Sequence, residues 1–150
     1  MKIRRAKPED AEEIWKLRTE TFEKINGKDN TKEQVKAFNA KNTLQKIIEK
    51  MKKREMFCLE DKIILGVVDL EGDRIGGLFV RYNYVKNGFG KRLLEFIEDY
   101  ARKKGIKKVR LSSTKTAEGF YLKFGYNPIK KINWEINGVK FENLEMEKQL

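Results

Sequence analysis

Three apolar runs, Met56 to Glu60, Ile63 to Leu70 and Arg74 to Val80, are joined only by Asp61-Lys62 and by Glu71-Gly72-Asp73. Connections that short return the chain antiparallel, so this stretch predicts a three-strand meander. After it the period changes. Lys91 to Lys104 places Leu93, Leu94, Phe96, Ile97, Tyr100 and Ala101 on one face of a 3.6-period helix, and Gly105 follows Lys103-Lys104 as a C-terminal cap would. Val109-Arg110-Leu111 then reads as a short strand. Reached over a helix, it lies parallel to the strand that ends at Val80.

Between that strand and that helix stands Tyr84-Val85-Lys86-Asn87-Gly88-Phe89-Gly90-Lys91. A turn opening a helix aims unpaired backbone N–H groups at one place, and the helix dipole favours negative charge there. Glycine lets a ligand approach the backbone, which together makes a phosphate or pyrophosphate site. Two glycines in such a turn are also common as a plain tight connection. The dinucleotide fingerprint requires a third glycine, whereas Lys91-Arg92-Leu93 follows Gly90. The nucleotide-hydrolase loop, with its Gly-Lys-Ser/Thr, is absent as well.

The flanks complete the order. Lys2 to Ala6 predicts a first strand, and Pro8 with Glu9 and Asp10 opens a helix whose apolar face carries Ala11, Ile14, Trp15, Arg18 and Phe22. Asn26 to Asn30 breaks it, and Thr31 caps a helical stretch towards Lys53 whose weak middle, Asn39 to Asn42, divides it readily into two. Near the end come a short helix, Thr116 to Phe124, and a hairpin, Asn127 to Trp134 and Val139 to Lys148, turning at Asn137-Gly138. The expectation is one α+β domain, residues 1–150, with a mixed sheet and helices on its faces.

Composition narrows the chemistry. The chain has no histidine, which removes Ser-His-Asp and Cys-His catalysis and most zinc sites, and no metal is expected. Its one cysteine, Cys58, lies in an apolar run and reads as a buried hydrophobe. No run approaches the roughly 20 apolar residues of a membrane span, and no signal peptide opens the chain, so residence in the cytoplasm is the expectation. The net charge of +11 favours anionic ligands, although lysines opposite an apolar helix stripe are commonly solvated surface.

Three segments together resemble the Gcn5-related N-acetyltransferase (GNAT) family. Ile3-Arg4-Arg5-Ala6-Lys7-Pro8-Glu9-Asp10-Ala11 is similar to its opening strand and helix. Val80 to Leu94 is similar to its acetyl-CoA loop, Q/R-x-x-G-x-G/A. Ala117-Glu118-Gly119-Phe120-Tyr121-Leu122-Lys123-Phe124-Gly125-Tyr126 is similar to its A-x-x-F-Y-x-K-x-G-F/Y signature. The chain departs from the pattern at Val85, where Arg or Gln usually opens the loop, at Tyr82, often proline, and at Thr114, often Asn.

The resemblance implies the acyl-CoA N-acyltransferase fold, with acetyl-CoA as co-substrate and a primary amine as acceptor. The pantetheine arm would insert between splayed strands beside Leu78, Phe79 and Val80. The amides of Lys86, Asn87, Gly88, Phe89, Gly90 and Lys91 would hold the pyrophosphate, and Thr114 would contribute a hydroxyl. Tyr121 becomes the candidate general acid for the departing thiolate. The general base is open among Asp69, Glu71, Glu20, Glu23 and a water relay, and Glu135 and Asp29 are candidates to attract a cationic amine. Two alternatives stand beside this: a basic nucleic-acid module, disfavoured because Trp15, Phe22, Phe96 and Tyr100 fall on apolar helix faces, and a non-catalytic acyl-CoA binder. A homodimer through the last strands is compatible with the sequence.

Overall fold

The computed structural model describes residues 1–150. Its strands are β1 (Lys2–Arg5), β2 (Glu55–Asp61), β3 (Ile63–Glu71), β4 (Arg74–Val80), β5 (Lys108–Ser113), β6 (Asn127–Ile136) and β7 (Val139–Gln149). Its helices are α1 (Ala11–Lys24), α2 (Lys32–Lys41), α3 (Leu44–Lys53), α4 (Phe89–Lys103) and α5 (Glu118–Lys123). One mixed sheet runs in the order β1-β2-β3-β4-β5-β7-β6, antiparallel throughout except for β4 and β5.

Local chemistry explains the boundaries. Thr31 caps α2 by accepting from the Gln34 amide at 3.0 Å, while Gln34 returns to the Thr31 amide. Asn42 ends α2, and Thr43 caps α3 through the Lys46 amide, so the weak middle does divide the stretch. At the last hairpin Asn137 and Gly138 take φ of 48° and 82°, the paired left-handed geometry that two-residue hairpins require.

Helices cover both faces of the sheet. Leu93, Leu94, Ile97 and Ala101 of α4 pack on Phe57, Leu59, Val68, Leu70 and neighbouring strand residues, forming the larger core. The opposite face buries Ala11, Ile14 and Leu17 of α1 and Ile47 of α3 against Met56, Cys58, Ile64 and Val67. Each buried Leu, Ile, Val, Met or Phe among them contributes about 1.5–3 kcal/mol. Phe96 and Tyr100 pack edge-on against Phe57, at 4.9 and 4.8 Å between ring centres, and so are committed to packing rather than to a stacking platform. Cys58 is fully buried and its thiol is pushed up to about 11 by burial, as an inert hydrophobe should be.

The feature that positions the site is the seam between β4 and β5. Their only register pair is Arg74 with Arg110, whereas β5 and β7 pair at six positions. The closed end of the seam is stapled. The Arg110 amide donates to Asp73 O at 3.0 Å, the Arg110 guanidinium forks onto the Asp73 carboxylate, and Arg74 reaches over to Glu145 at 2.6 and 3.1 Å. Beyond this staple the strands diverge.

Candidate active site

The diverging strands open a cleft of about 320 Å³. One wall is β4 from Ile75 to Val80; the other is Leu111 and Ser112 of β5, with Thr114, Ala117, Phe120 and Tyr121 beyond it. Past Arg74, β4 has no strand partner on this side, and Thr21 of α1 covers one acceptor by donating to Val80 O at 3.0 Å.

β4 is also irregular. Val67 faces Phe79 while Asp69 faces Gly76, so Val68 alone stands opposite both Gly77 and Leu78. This is a bulge, and Gly77 adopts φ +54°, the left-handed conformation that a side chain disfavours. A side chain would also find no room there: a Cβ on Gly77 would lie 2.5 Å from Asp69 Oδ2 and 2.9 Å from Arg18 Nη1, and one on Gly76 2.7 Å from Arg54 Nη1. The two glycines therefore admit charged groups beneath β4. Asp69 there is 1 % exposed and accepts from Arg54 Nη1 at 3.1 Å.

At the wide end of the cleft the loop runs into α4. Gly88 is the N-cap at φ +77° with no side-chain cap, and the amides of Gly88, Phe89, Gly90 and Lys91 donate to no backbone oxygen. The two glycines serve different needs. Gly88 supplies the left-handed turn, with open space around it, whereas a Cβ on Gly90 would meet the Phe120 ring at 3.3 Å.

Of the sequence-predicted site residues, Leu78, Phe79, Val80, Gly90, Thr114 and Tyr121 line the cleft. Lys86, Asn87, Gly88, Phe89 and Lys91 flank it on the exposed loop and first turn of α4 without lining it. Val85 lines the cleft as an apolar contact, in the position where a longer polar side chain was expected. Tyr121 on α5 is buried, with its ring edge-on to Phe120 and Tyr126. Burial, and secondarily the charge of Asp69, raise its phenol well above the ordinary tyrosine range, so it stays protonated.

No carboxylate lines the cleft. None of the candidate bases Asp69, Glu71, Glu20 and Glu23 lines it, and Asp69 is buried under the Gly76-Gly77 bulge. Glu135 and Asp29 line neither this cleft nor the other sizeable cavity, and Asp29 accepts from Thr116 Oγ1 at 2.8 Å. Sequence reasoning missed Thr21, Ser112 and Asn26. Asn26, read only as a helix breaker, is buried and turns its Nδ2 to Thr114 Oγ1 at 3.4 Å.

A sheet unzipped along one parallel pair, bulged on one lip and faced by an uncapped helix start, defines the acyl-CoA N-acyltransferase class of fold. The acetyltransferase (GNAT) domain family matches residues 26–150, and the chain belongs to that family of N-acetyltransferases. Among solved structures it is similar to a GCN5-related N-acetyltransferase, also described as a class-II aminotransferase, from Rhodopseudomonas palustris, with 25% identity and a TM-score of 0.94 over 99% of this chain and 95% of the other. The PaiA N-acetyltransferase of Thermoplasma acidophilum, solved in complex with coenzyme A, is 21% identical, with a TM-score of 0.77 over 99% and 98%. An aminoglycoside 6′-N-acetyltransferase, also complexed with coenzyme A, is 15% identical, with a TM-score of 0.72 over 99% and 97%. No curated protein matches the chain. No helix is long and apolar enough to cross a membrane.

Proposed function

We propose that residues 1–150 act as one acetyltransferase domain that moves the acetyl group of acetyl-CoA to a primary amine by direct attack. The observation that carries this reading is the open β4–β5 seam with an uncapped helix start at its wide end. The pantetheine arm lies in the seam and pairs with the free side of β4 as an added strand would. The pyrophosphate sits on the amides from Lys86 to Lys91, where helix dipole and free donors coincide. Coenzyme A in the two relatives solved with it supports the same choice of co-substrate.

In the reaction, the neutral amine nitrogen attacks the thioester carbonyl carbon. The resulting oxyanion accepts a hydrogen bond from a backbone N–H of the stretch Leu78 to Val80 beside the bulge, a donor fixed before the charge develops. The C–S bond then breaks, and the electron pair leaves on sulfur. Tyr121 faces that sulfur as a protonated phenol. Its raised pKa makes it first a hydrogen-bond donor to the thiolate, with the proton following as charge builds. The proton lost by the amine departs through a water relay, in keeping with a cleft that no carboxylate lines.

Calorimetric titration with acetyl-CoA, against dephosphorylated and pyrophosphate-free analogues, tests the binding half of this reading. Micromolar affinity that weakens without the pyrophosphate is expected. Absence of binding at low salt would overturn it. Release of free CoA in the presence of amines then separates an enzyme from a protein that only binds acyl-CoA.

A further inference from the structure

A second cavity, of about 200 Å³, lies among α1, α2, α3 and β6. Arg18, Lys41, Lys46 and Lys50 line it with positive charge, Phe38 and Trp134 give it aromatic walls, and no acidic side chain faces it. Lysines on helices are usually solvated surface, and Lys41 and Lys46 alone would carry no argument. Arg18 is different. It is 4 % exposed, and its Nε and Nη1 have no hydrogen-bond partner. Asn42 Nδ2 and Trp134 Nε1, on two other elements of the same cavity, are buried and unpartnered as well.

The orphans on the cavity's lining residues are all N–H donors, the one other buried orphan, the acceptor Asn39 Oδ1, belonging to a residue outside the lining; buried donors in native proteins are normally satisfied. What is missing is therefore an acceptor, and the surplus of positive charge around it favours an anion. Burial holds the Arg18 guanidinium down to about 10, and burial together with Arg18 and Arg54 pushes the Lys50 ammonium down to about 8. Asp69 opposes both shifts without hydrogen-bonding Arg18 Nε or Nη1, and Lys46 pairs with Glu49 at 3.6 Å, so the cations still outnumber the acids. The walls are fixed: Phe38 stacks on Phe22 at 3.7 Å and Trp134 on Phe141 at 4.6 Å between ring centres. The volume suits a small molecule, not a macromolecule.

Arg18 also ties this cavity to the cleft. Its guanidinium lies over the Phe79 ring, 4.7 Å from the centre, and beside Gly77, and both of these residues line the cleft. We infer that the acetyl acceptor is a small amine that also carries a carboxylate or phosphate, its anionic end held by Arg18, Lys46 and Lys50 and its apolar body set between Phe38 and Trp134. This rests on the acetyl-transfer reading and narrows it. It replaces the cationic acceptor suggested by Glu135 and Asp29.

The test has a binding arm and a turnover arm. Calorimetry compares 3-phenylpropionate, phenyl phosphate and 3-phenylpropylamine, with acetyl-CoA titrated separately. Turnover compares phenylalanine with phenylalaninamide and phenethylamine, and phosphoethanolamine with ethanolamine. The acid-bearing member of a pair is expected to lead by at least about tenfold in kcat/KM, and the pair with the larger ratio identifies carboxylate or phosphate as the group. Arg18→Gln is expected to erase that ratio mainly through KM. Because Arg18 is buried, Lys46→Gln on the exposed rim is the second variant, expected to cost about threefold in the same direction while acetyl-CoA affinity stays unchanged. Equal or better turnover of neutral amines or polyamines would overturn the inference, as would a ratio unmoved in both variants. Acetyl-CoA binding without acid binding would remove the anion site alone. Acid binding without acetyl-CoA binding would instead remove the transfer reading, and with it the acceptor role.

Discussion

The cleft and the basic cavity meet at Arg18 and β4, yet they recruit hydrogen-bond donors in opposite ways. The cleft is lined mostly by apolar side chains and glycines, and its backbone donors are those on the unpaired side of β4 and at the start of α4. The cavity takes its donors from side chains of α1, the α2–α3 junction and β6, segments distant in sequence. Backbone donors are indifferent to most substitutions and suit a ligand common to many relatives. Side-chain donors change with single mutations, and they suit whatever is particular to this chain.

The most damaging single change should fall where the two regions touch. Gly77→Val places a branched side chain at φ +54° against Asp69 and Arg18, so a loss of about 3 kcal/mol or more in urea unfolding is expected, with both ligand sites disordered. A stable variant that still bound acetyl-CoA would separate the regions altogether. Next comes Tyr121→Phe, which touches the cleft alone: kcat should fall about 30-fold, or about 2 kcal/mol, with acetyl-CoA affinity retained in calorimetry. Unchanged turnover would take Tyr121 out of the mechanism.

A pH series isolates the cavity. Lys50 faces Arg18 of α1, Arg54 after α3 and Lys41 of α2, all of which push its proton off, and Asp69 of β3, which favours it. It is charged below about 8 and neutral above, so the affinity for an acid-bearing acceptor should fall as pH rises through 8, by less than tenfold. The folded-state value lies below the ordinary lysine value of about 10.4, so this group's contribution to the stability of the ligand-free chain should rise with pH from about 8 towards 10. Affinity and stability moving in the same direction over that window would remove Lys50 from the site. The smallest effect expected is at Val85→Arg. Restoring a cation beside the loop should tighten acetyl-CoA binding a few-fold, about 0.5–1 kcal/mol, and the gain should fade with added salt.

The same division explains what could be read before the structure. The meander, the crossover helix, the closing hairpin and the loop were legible because turn length, apolar period and glycine positions are local signals. Leu78 to Val80, Gly90, Thr114 and Tyr121 came together in one cleft because the signature segments fix their elements. Arg18 was visible as a charge on the apolar face of α1, but the missing acceptor was not, since that depends on α2, α3 and β6 closing around it. The seat of Asp69, one of the candidate bases, was hidden for a related reason. Its burial depends on the Gly76-Gly77 bulge, where a Cβ on either glycine would crowd the carboxylate. Gly90 carried a double meaning: its place in the loop suggested ligand approach, whereas its nearest neighbour is the Phe120 ring.

The stapled seam has a consequence for the lifetime of the folded chain. Past Arg74 and Arg110 the sheet holds an interior edge, β4 without its neighbour, of the kind that on a surface invites pairing with foreign strands. A cofactor arm lying there, as proposed, would complete the sheet and bind only the native state. At one hundred times its dissociation constant such a ligand adds about 2.7 kcal/mol to stability, against a total of roughly 5–15 kcal/mol for a protein of ordinary stability. Melting temperature and resistance to proteolysis should then follow acetyl-CoA concentration, and supply of the acetyl donor would govern how much folded enzyme persists as well as how fast it turns over.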